Sequence, residues 1–373
     1  MLQQRTDTPE DPKEYRPHQG LPPLDDQAQP LSFFELWPRW AFYPPVVFYA
    51  LWLSAKHGGL TTLTASNPSM KNGGFIGDSK TEVYRLFPET LKQYIPLTLS
   101  IKATTDIEQA TAEMKRHGLT FPIIAKPDSG CRGAGVQKIH DTEELDHYLN
   151  NFPVTDNIIL QEYVLYEAEA GVFYIRHPNE DKGHIFSLTL KYFPYIYGDG
   201  QSTLKELILK DPRAKHLSHV YFPRHQDKLD IILDQGEPFR LSFAGAHSKG
   251  TIFKDGNAHI TPAMETFFDT LSKQIPEFYF GRFDIRFEDM RSLETGENMK
   301  IIELNGAGAE ATHIWDSKTS LLKAYDTLFK QFKHVYEIGA KNKKRGFKPE
   351  NIPTLWKHIC DNENNTAQYP PTH

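Results

Sequence analysis

Two strand-like runs late in the chain constrain its fold more than any other feature. Gly281-Arg282-Phe283-Asp284-Ile285-Arg286 alternates charge with apolar bulk, and Met299-Lys300-Ile301-Ile302-Glu303-Leu304-Asn305 ends on a carboxylate and an amide separated by one leucine. Strand side chains alternate between faces, so Arg282, Asp284 and Arg286 point one way, and Glu303 and Asn305 point together. A hairpin of the two runs brings Asp284 beside Glu303 or Asn305. Two carboxylates and an amide, with no cysteine or histidine among them, make an all-oxygen donor set suited to a hard cation such as Mg²⁺, which phosphates and water complete. The flanking arginines suit charge on a transferring phosphoryl group. Salt bridges across a surface hairpin would explain the same residues, so further groups are needed to decide.

The rest of the chain narrows the class. Its 373 residues allow two or three packed units, and 39% hydrophobic content with 12% aromatics supplies their cores. A net charge of −6 argues against a nucleic-acid partner. The two cysteines, Cys131 and Cys360, give neither a disulfide framework nor zinc spacing, which fits a reducing compartment. The first thirty residues are polar and proline-rich, not basic and then apolar, and a cytoplasmic location is expected. Trp40 to Ala55, WAFYPPVVFYALWLSA, carries no charge, but its 16 residues fall short of the roughly 20 a spanning helix needs. It reads as a helix docked on its own core, as a partner or homodimer surface, or as a membrane-interface element.

Four regions are expected. Residues 1–30 form a proline-rich arm, 31–78 an aromatic helix with a turn-rich lead-in, 79–340 the main domain, and 341–373 a basic and then polar tail. Ser79 and Glu82 have capping-box spacing, which puts Lys80 in a first helical turn. Short strands at 97–101, 121–126, 136–139 and 158–161 alternate with helices at 106–117 and 141–149. Strands at 171–176 and 185–192, a strand-rich passage over 228–260, a helix at 261–275, the hairpin and a helix at 320–338 follow. This order indicates an α+β (mixed α/β) class with antiparallel hairpins.

Two more constellations bear on chemistry. The strand Phe121–Lys126 runs into a loop holding Gly130, Gly133 and Gly135 before strand resumes. Such a loop suits backbone N–H groups laid over phosphates, with Lys126 neutralising them from below. The order is not that of a Walker motif or a dinucleotide fingerprint; a plain hairpin turn is its ordinary alternative. Ile159 to Val164, ILQEYV, ends a strand at Glu162, where backbone groups can read an adenine and an acid can hold a ribose.

In order and spacing these parts resemble the ATP-grasp ligases, the superfamily of D-alanine–D-alanine ligase, glutathione synthetase and cyanophycin synthetase, over roughly Lys80 to Trp315. The resemblance implies a fold of two α+β subdomains gripping ATP, here behind a short, atypical N-terminal segment. It casts Lys80, Lys126 and the glycine loop as phosphate contacts, Glu162, Tyr163 and Val164 as the adenine hinge, and Glu169 as the ribose acid. Lys191 is a further phosphate lysine, Asp284, Glu303 and Asn305 hold Mg²⁺ (Mn²⁺ being the alternative), and Arg282 steadies an acyl-phosphate. Tyr197 to Leu204 and the loop Leu241 to Thr251 are closest to cyanophycin synthetase and the fused bacterial glutathione enzymes. The implied reaction joins a small-molecule carboxylate to an amine, amino acids or peptides among them, through an acyl-phosphate. Arg176, His247 and Arg286 are the candidates for the acid's carboxylate. A phosphotransferase that stops at the phosphorylated product, or a nucleotide-binding scaffold, are the rival readings.

Overall fold

A computed structural model describes residues 16–25, 31–130, 133–153, 156–243, 245–370 and 372. Cys131 and most of the N-terminal arm lie outside the described residues. The fold is α+β and its sheets are antiparallel throughout.

The first sheet has the order β1-β4-β2-β3, from Thr98–Lys102 (β1), Ile123–Pro127 (β2), Gln137–Ile139 (β3) and Asn157–Glu162 (β4). Helices Ile107–His117 and Thr142–Asn150 cover it, each started by an aspartate whose side chain accepts the third helical N–H. Leu99, Ala110, Met114, Ile123, Leu145, Tyr148 and Leu160 form the core of this lid.

The second sheet has the order β11-β10-β5-β6-β9, from Ala168–Ile175 (β5), His184–Tyr192 (β6), Ile252–Asp255 (β9), Phe280–Phe287 (β10) and Met299–Asn305 (β11). Period 2 divides its faces. Val172, Tyr174, Leu188, Phe283 and Ile285 pack with Met264, Phe268 and Leu271 of the helix Pro262–Gln274. On the opposite face, Phe173, Ile175 and Phe280 pack on Val335 and Tyr336 of the helix Leu321–Lys344. The same face, further along β5 and β10, carries Glu169, Arg282, Asp284 and Arg286. An aromatic end and a charged end therefore share one side of the sheet.

Between β6 and β9 a small unit is inserted, with Tyr195–Tyr197 (β7) paired to Pro238–Arg240 (β8) and the helices Leu204–Lys210 and Ser218–Arg224 around its own core. Thr203 and Glu206 make a reciprocal capping box at its first helix. The strand-rich reading of 228–260 is corrected here. Among its described residues only 238–240 and 252–255 are strands, because Leu229 O, Ile231 O and Leu233 O accept from Lys205, Leu204 and Gly200, at and just before the start of that helix, instead of joining a sheet.

The lead-in is tied to the charged hairpin. Asn67 is fully buried and uses every polar group of its side chain: Nδ2 donates to Gly73 O and Phe280 O, and Oδ1 accepts from Tyr279 N and Phe280 N, all at 2.8–3.0 Å. Gly73 and Gly74 then receive the N–H groups of Ala307 and Gly308. A Cβ on Gly306 would sit 2.6 Å from Gly73 O and one on Gly308 2.2 Å from Phe75 O, so both glycines that follow Asn305 are a condition of this approach. The aromatic segment forms the helix Pro44–His57, preceded by a turn at Arg39–Phe42. Residues 352–366 of the expected tail are a helix as well, and beyond it Tyr369 stacks on Phe152 of the lid. No helix among the described residues is long and apolar enough to cross a membrane.

Candidate active site

A cavity of about 680 Å³ opens between the lid and the charged end of the second sheet. That volume is in the range of nucleotide and cofactor pockets.

Its floor is the β10–β11 hairpin. Asp284 lies opposite Glu303 and Arg282 opposite Asn305, as simple closure requires, but the register shifts one step further on, where Ile285 faces Ile301. Ile302 is therefore the extra residue of a bulge. Its carbonyl turns to the lid and accepts from Tyr84 OH at 2.5 Å and Lys126 Nζ at 3.2 Å. A local irregularity in the strand thus ties both subdomains at the cavity floor.

Asp284 is the centre of the charge network. Arg282 grips it with two N–H donors, at 2.8 and 3.0 Å, while its third group reaches Glu310 O. Lys191 Nζ lies 3.0 Å from Asp284 Oδ1 and 2.9 Å from Glu169 Oε1, and Asn305 Nδ2 donates to Asp284 Oδ2 at 3.3 Å. Burial alone would raise the Asp284 carboxyl, yet Arg282 and Lys191 outweigh it and hold it at about 2. Glu303, directly across on β11, is a third exposed, and among the described residues its ion-pair neighbour is Lys80, at 3.8 Å. Asp284 and Glu303 thus bring carboxylate oxygens to one edge of the cavity, one anchored and one open, beside the Asn305 amide, a set that fits a hard cation.

The roof is the glycine loop. Lys126 leaves β2 beneath it, donating to Gln161 Oε1 at 2.9 Å. Burial pushes this lysine down to about 8, against the pull of Glu303, Asp128 and Glu169. Lys80 enters from the helix Lys80–Arg85, capped by Ser79 as the sequence requires, and its Nζ donates to Gly130 O at 3.1 Å. Gly133 and Gly135 have φ near +70°, the left-handed region, and a Cβ on Gly135 would meet Pro127 and Tyr369 at 2.9–3.0 Å. Tyr369 OH bonds Ser129 O, and Thr372 Oγ1 bonds Gly133 O, so the chain after 366 grips the loop from outside.

Lys80, Lys126, Gly130, Gly133, Glu162, Tyr163, Val164, Glu169, Lys191, Arg282, Asp284, Arg286, Glu303, Asn305 and His247 all line this one cavity. Three of the residues expected at the site, Glu169, Arg286 and Arg176, hold positions the sequence did not suggest. Glu169 is not at an open rim; it is buried between Lys191 and Arg286, whose Nε lies 3.5 Å away. Arg286 spends its donors on Val164 O and Phe243 O, tying the hinge to the 241–251 loop. Arg176 is outside the cavity, beyond the far end of β5, with its guanidinium over the Tyr279 ring.

Other residues enter the wall unforeseen. Glu35, Trp37, Arg39, Phe42 and Tyr43 of the aromatic lead-in line the cavity, where Glu35 receives Arg213 and His247 and Tyr43 donates to Glu310. Glu35 and Arg39, the sole charges in a run of aromatics, were the available signal. Asp78 lines the cavity too; its Oδ1 is shut off from solvent with no hydrogen-bond partner among the described residues, and burial raises the carboxyl to about 7 despite Lys80 and Lys71.

No family model and no curated protein matches the sequence. Among solved structures the chain is similar to a D-alanine–D-alanine ligase from Bacillus anthracis, at 13% identity and a TM-score of 0.40 over 72% of this chain and 68% of that one. It is similar to the VanG D-Ala:D-Ser ligase from Enterococcus faecalis, at 14% and 0.39 over 71% and 61%. A bifunctional glutathione synthetase from Pasteurella multocida aligns at 14% and 0.33 over 68% of this chain, which spans only 36% of that larger enzyme. These are loose likenesses, and the chemistry of the cavity stands on its own residues.

Proposed function

We propose that the protein is an ATP- and Mg²⁺-dependent ligase that joins a small carboxylic acid to an amine. The observation that carries this reading is the meeting of three groups in one cavity: the Asp284, Glu303 and Asn305 oxygens, the two lysines Lys80 and Lys126, and a glycine loop with left-handed residues above them. A bound Mg²⁺ would be held by Asp284, Glu303 and Asn305 and would offset charge on the phosphates. Lys126 and Lys80 take the phosphate oxygens, the loop excludes water, and the main chain of 162–164 is available to a base.

In the first step a carboxylate oxygen bonds the γ-phosphorus and the bond to the β-phosphate oxygen breaks, giving an acyl-phosphate and ADP. In the second the amine adds to the acyl carbon, loses a proton, and phosphate leaves. Arg282, which bonds Asp284 and Glu310 O, would stabilise the oxyanion of that addition with its remaining N–H groups. No protein nucleophile is required.

The test is hydroxylamine trapping. Protein, Mg-ATP and a panel of amino acids and short peptides are incubated with hydroxylamine, and hydroxamate is measured with ADP. Acid-dependent hydroxamate in step with ADP supports the ligase. ADP with a stable phosphorylated product and no hydroxamate makes it a phosphotransferase, and nucleotide binding without any turnover across the panel favours a scaffold.

A further inference from the structure

The helix Pro44–His57 has two unlike sides. Val46, Leu53 and Ser54 are buried, and the Tyr49 ring meets that of Phe329, on the helix Leu321–Lys344, with centroids 4.7 Å apart. The other side is apolar and open: Val47, Phe48, Leu51 and Trp52 are 49–72% exposed, and Trp40, one turn before the helix, is 79% exposed. Their spacing of 40, 44, 47, 48, 51, 52 and 55, with Pro44 and Ala55 included, is one helical stripe. Leaving two tryptophans and a phenylalanine in water is unfavourable, and a soluble surface seldom carries such a stripe without a use for it.

Charge indicates what covers it. From Leu36 to Gly77 the chain has no aspartate or glutamate, although it has 48 in all and a net charge of −6. Cations rim the stripe: Arg39 is exposed beside Trp40, Lys56 Nζ sits 5.1 Å above the Trp52 ring, and Lys343 Nζ bonds Gly58 O at the helix end. Glu337, the acid that acts on Tyr49 and His57, is met by Lys333 of its own helix. In a two-fold dimer the same patch meets itself, which would bring its cations together, with Glu337 already engaged by Lys333. Aromatics at the level of head groups with lysine and arginine at the rim is instead the pattern of a monotopic element on an anionic bilayer.

We propose that this face docks the protein on a lipid surface bearing anionic head groups. The placement has a bearing on the cavity, since Trp37, Arg39, Phe42 and Tyr43 line it while Trp40, between them, faces outward. The docked surface and the cavity wall are two sides of one short segment.

The test is flotation of the full chain with vesicles of phosphatidylcholine alone and of phosphatidylcholine with 30% phosphatidylglycerol, together with sedimentation velocity without lipid. The wild type is expected to float with the anionic vesicles and much less with the neutral ones. The triple variant Trp40→Ser, Phe48→Ser, Trp52→Ser, whose sites are exposed, should lose about ten-fold or more in partition coefficient. Lys56→Glu, which removes no apolar surface, should weaken only the anionic binding. Equal partition onto both vesicles overturns the anionic assignment. No flotation overturns the proposal, and a dimer abolished by the triple variant would then make a second copy the occupant.

Discussion

Replacing Glu303 by Gln separates the metal reading from simple ion pairing, because the structure gives this carboxylate little other work. A third of its side chain is open to solvent, and Lys80 is its one ion-pair neighbour among the described residues, at 3.8 Å. Pairs this exposed contribute about 1 kcal/mol at most. At about 2.1 cal/mol/K per residue the 373-residue chain unfolds with an entropy near 0.8 kcal/mol/K, so Tm moves by about 1.3 °C per kcal/mol. The substitution alone should therefore leave the ligand-free Tm within about 1 °C. Mg-ATP at about 100 times its Kd stabilises the native state by about 2.7 kcal/mol, or about 3 °C. Differential scanning fluorimetry should show that rise in the wild type with Mg-ATP and lose it in Glu303→Gln. Asp284→Asn is the contrast. It leaves Arg282 and Lys191 facing a neutral amide in a buried site, a change costing about 3–5 kcal/mol, and the ligand-free Tm should fall by about 4–6 °C. A full shift in Glu303→Gln, or an equal shift with ATP and EDTA in the wild type, would refute the metal assignment.

Two further outcomes follow from the same geometry. Lys126 has its folded pKa lowered to about 8 from the ordinary lysine value, so its charge is lost as pH rises through 8. Since the unfolded chain binds more protons between that pH and the ordinary value, this lysine makes stability rise with pH over that window. ATP affinity measured by titration calorimetry should instead weaken above pH 8, and Lys126→Arg should flatten that dependence. At Gly171, a Cβ would come within 2.9 Å of Arg282 Cδ and 3.3 Å of Asp284 Oδ1. Gly171→Ala should displace Arg282 and lower acid-dependent ADP release about a hundred-fold while Mg-ATP still raises Tm.

What could be read in the sequence was what is written locally. Ser79, Asp106, Asp141 and Thr203 announce helix starts because a cap is satisfied within three residues, and the period of 2 in 282–286 puts the charges on one face whatever lies around them. The bulge at Ile302 was hidden, since it is fixed by Lys126 and Tyr84, more than 170 residues away. The cavity wall at 35–43 was hidden for a different reason: aromatic residues read alike whether they fill a core or face a ligand. Arg286 and Glu169 carry the right charges for ligand contacts, but only the fold shows them already engaged with Val164 O, Phe243 O and Lys191.

The tie made by Asn67 sets an order of events during synthesis. Its partners Tyr279 and Phe280 follow it by 212 and 213 residues, and Asn342, which bonds Ala65 O and Ser66 O, follows those by about 277. At roughly 5–20 residues per second the lead-in leaves the ribosome some tens of seconds before anything exists to receive it. Throughout that interval both sides of the helix Pro44–His57, the one that will be buried on Phe329 and the one that stays open, are bare. An early segment is thus satisfied late, and the nascent chain carries this aromatic stretch uncovered until residues beyond Phe329 and Asn342 have emerged.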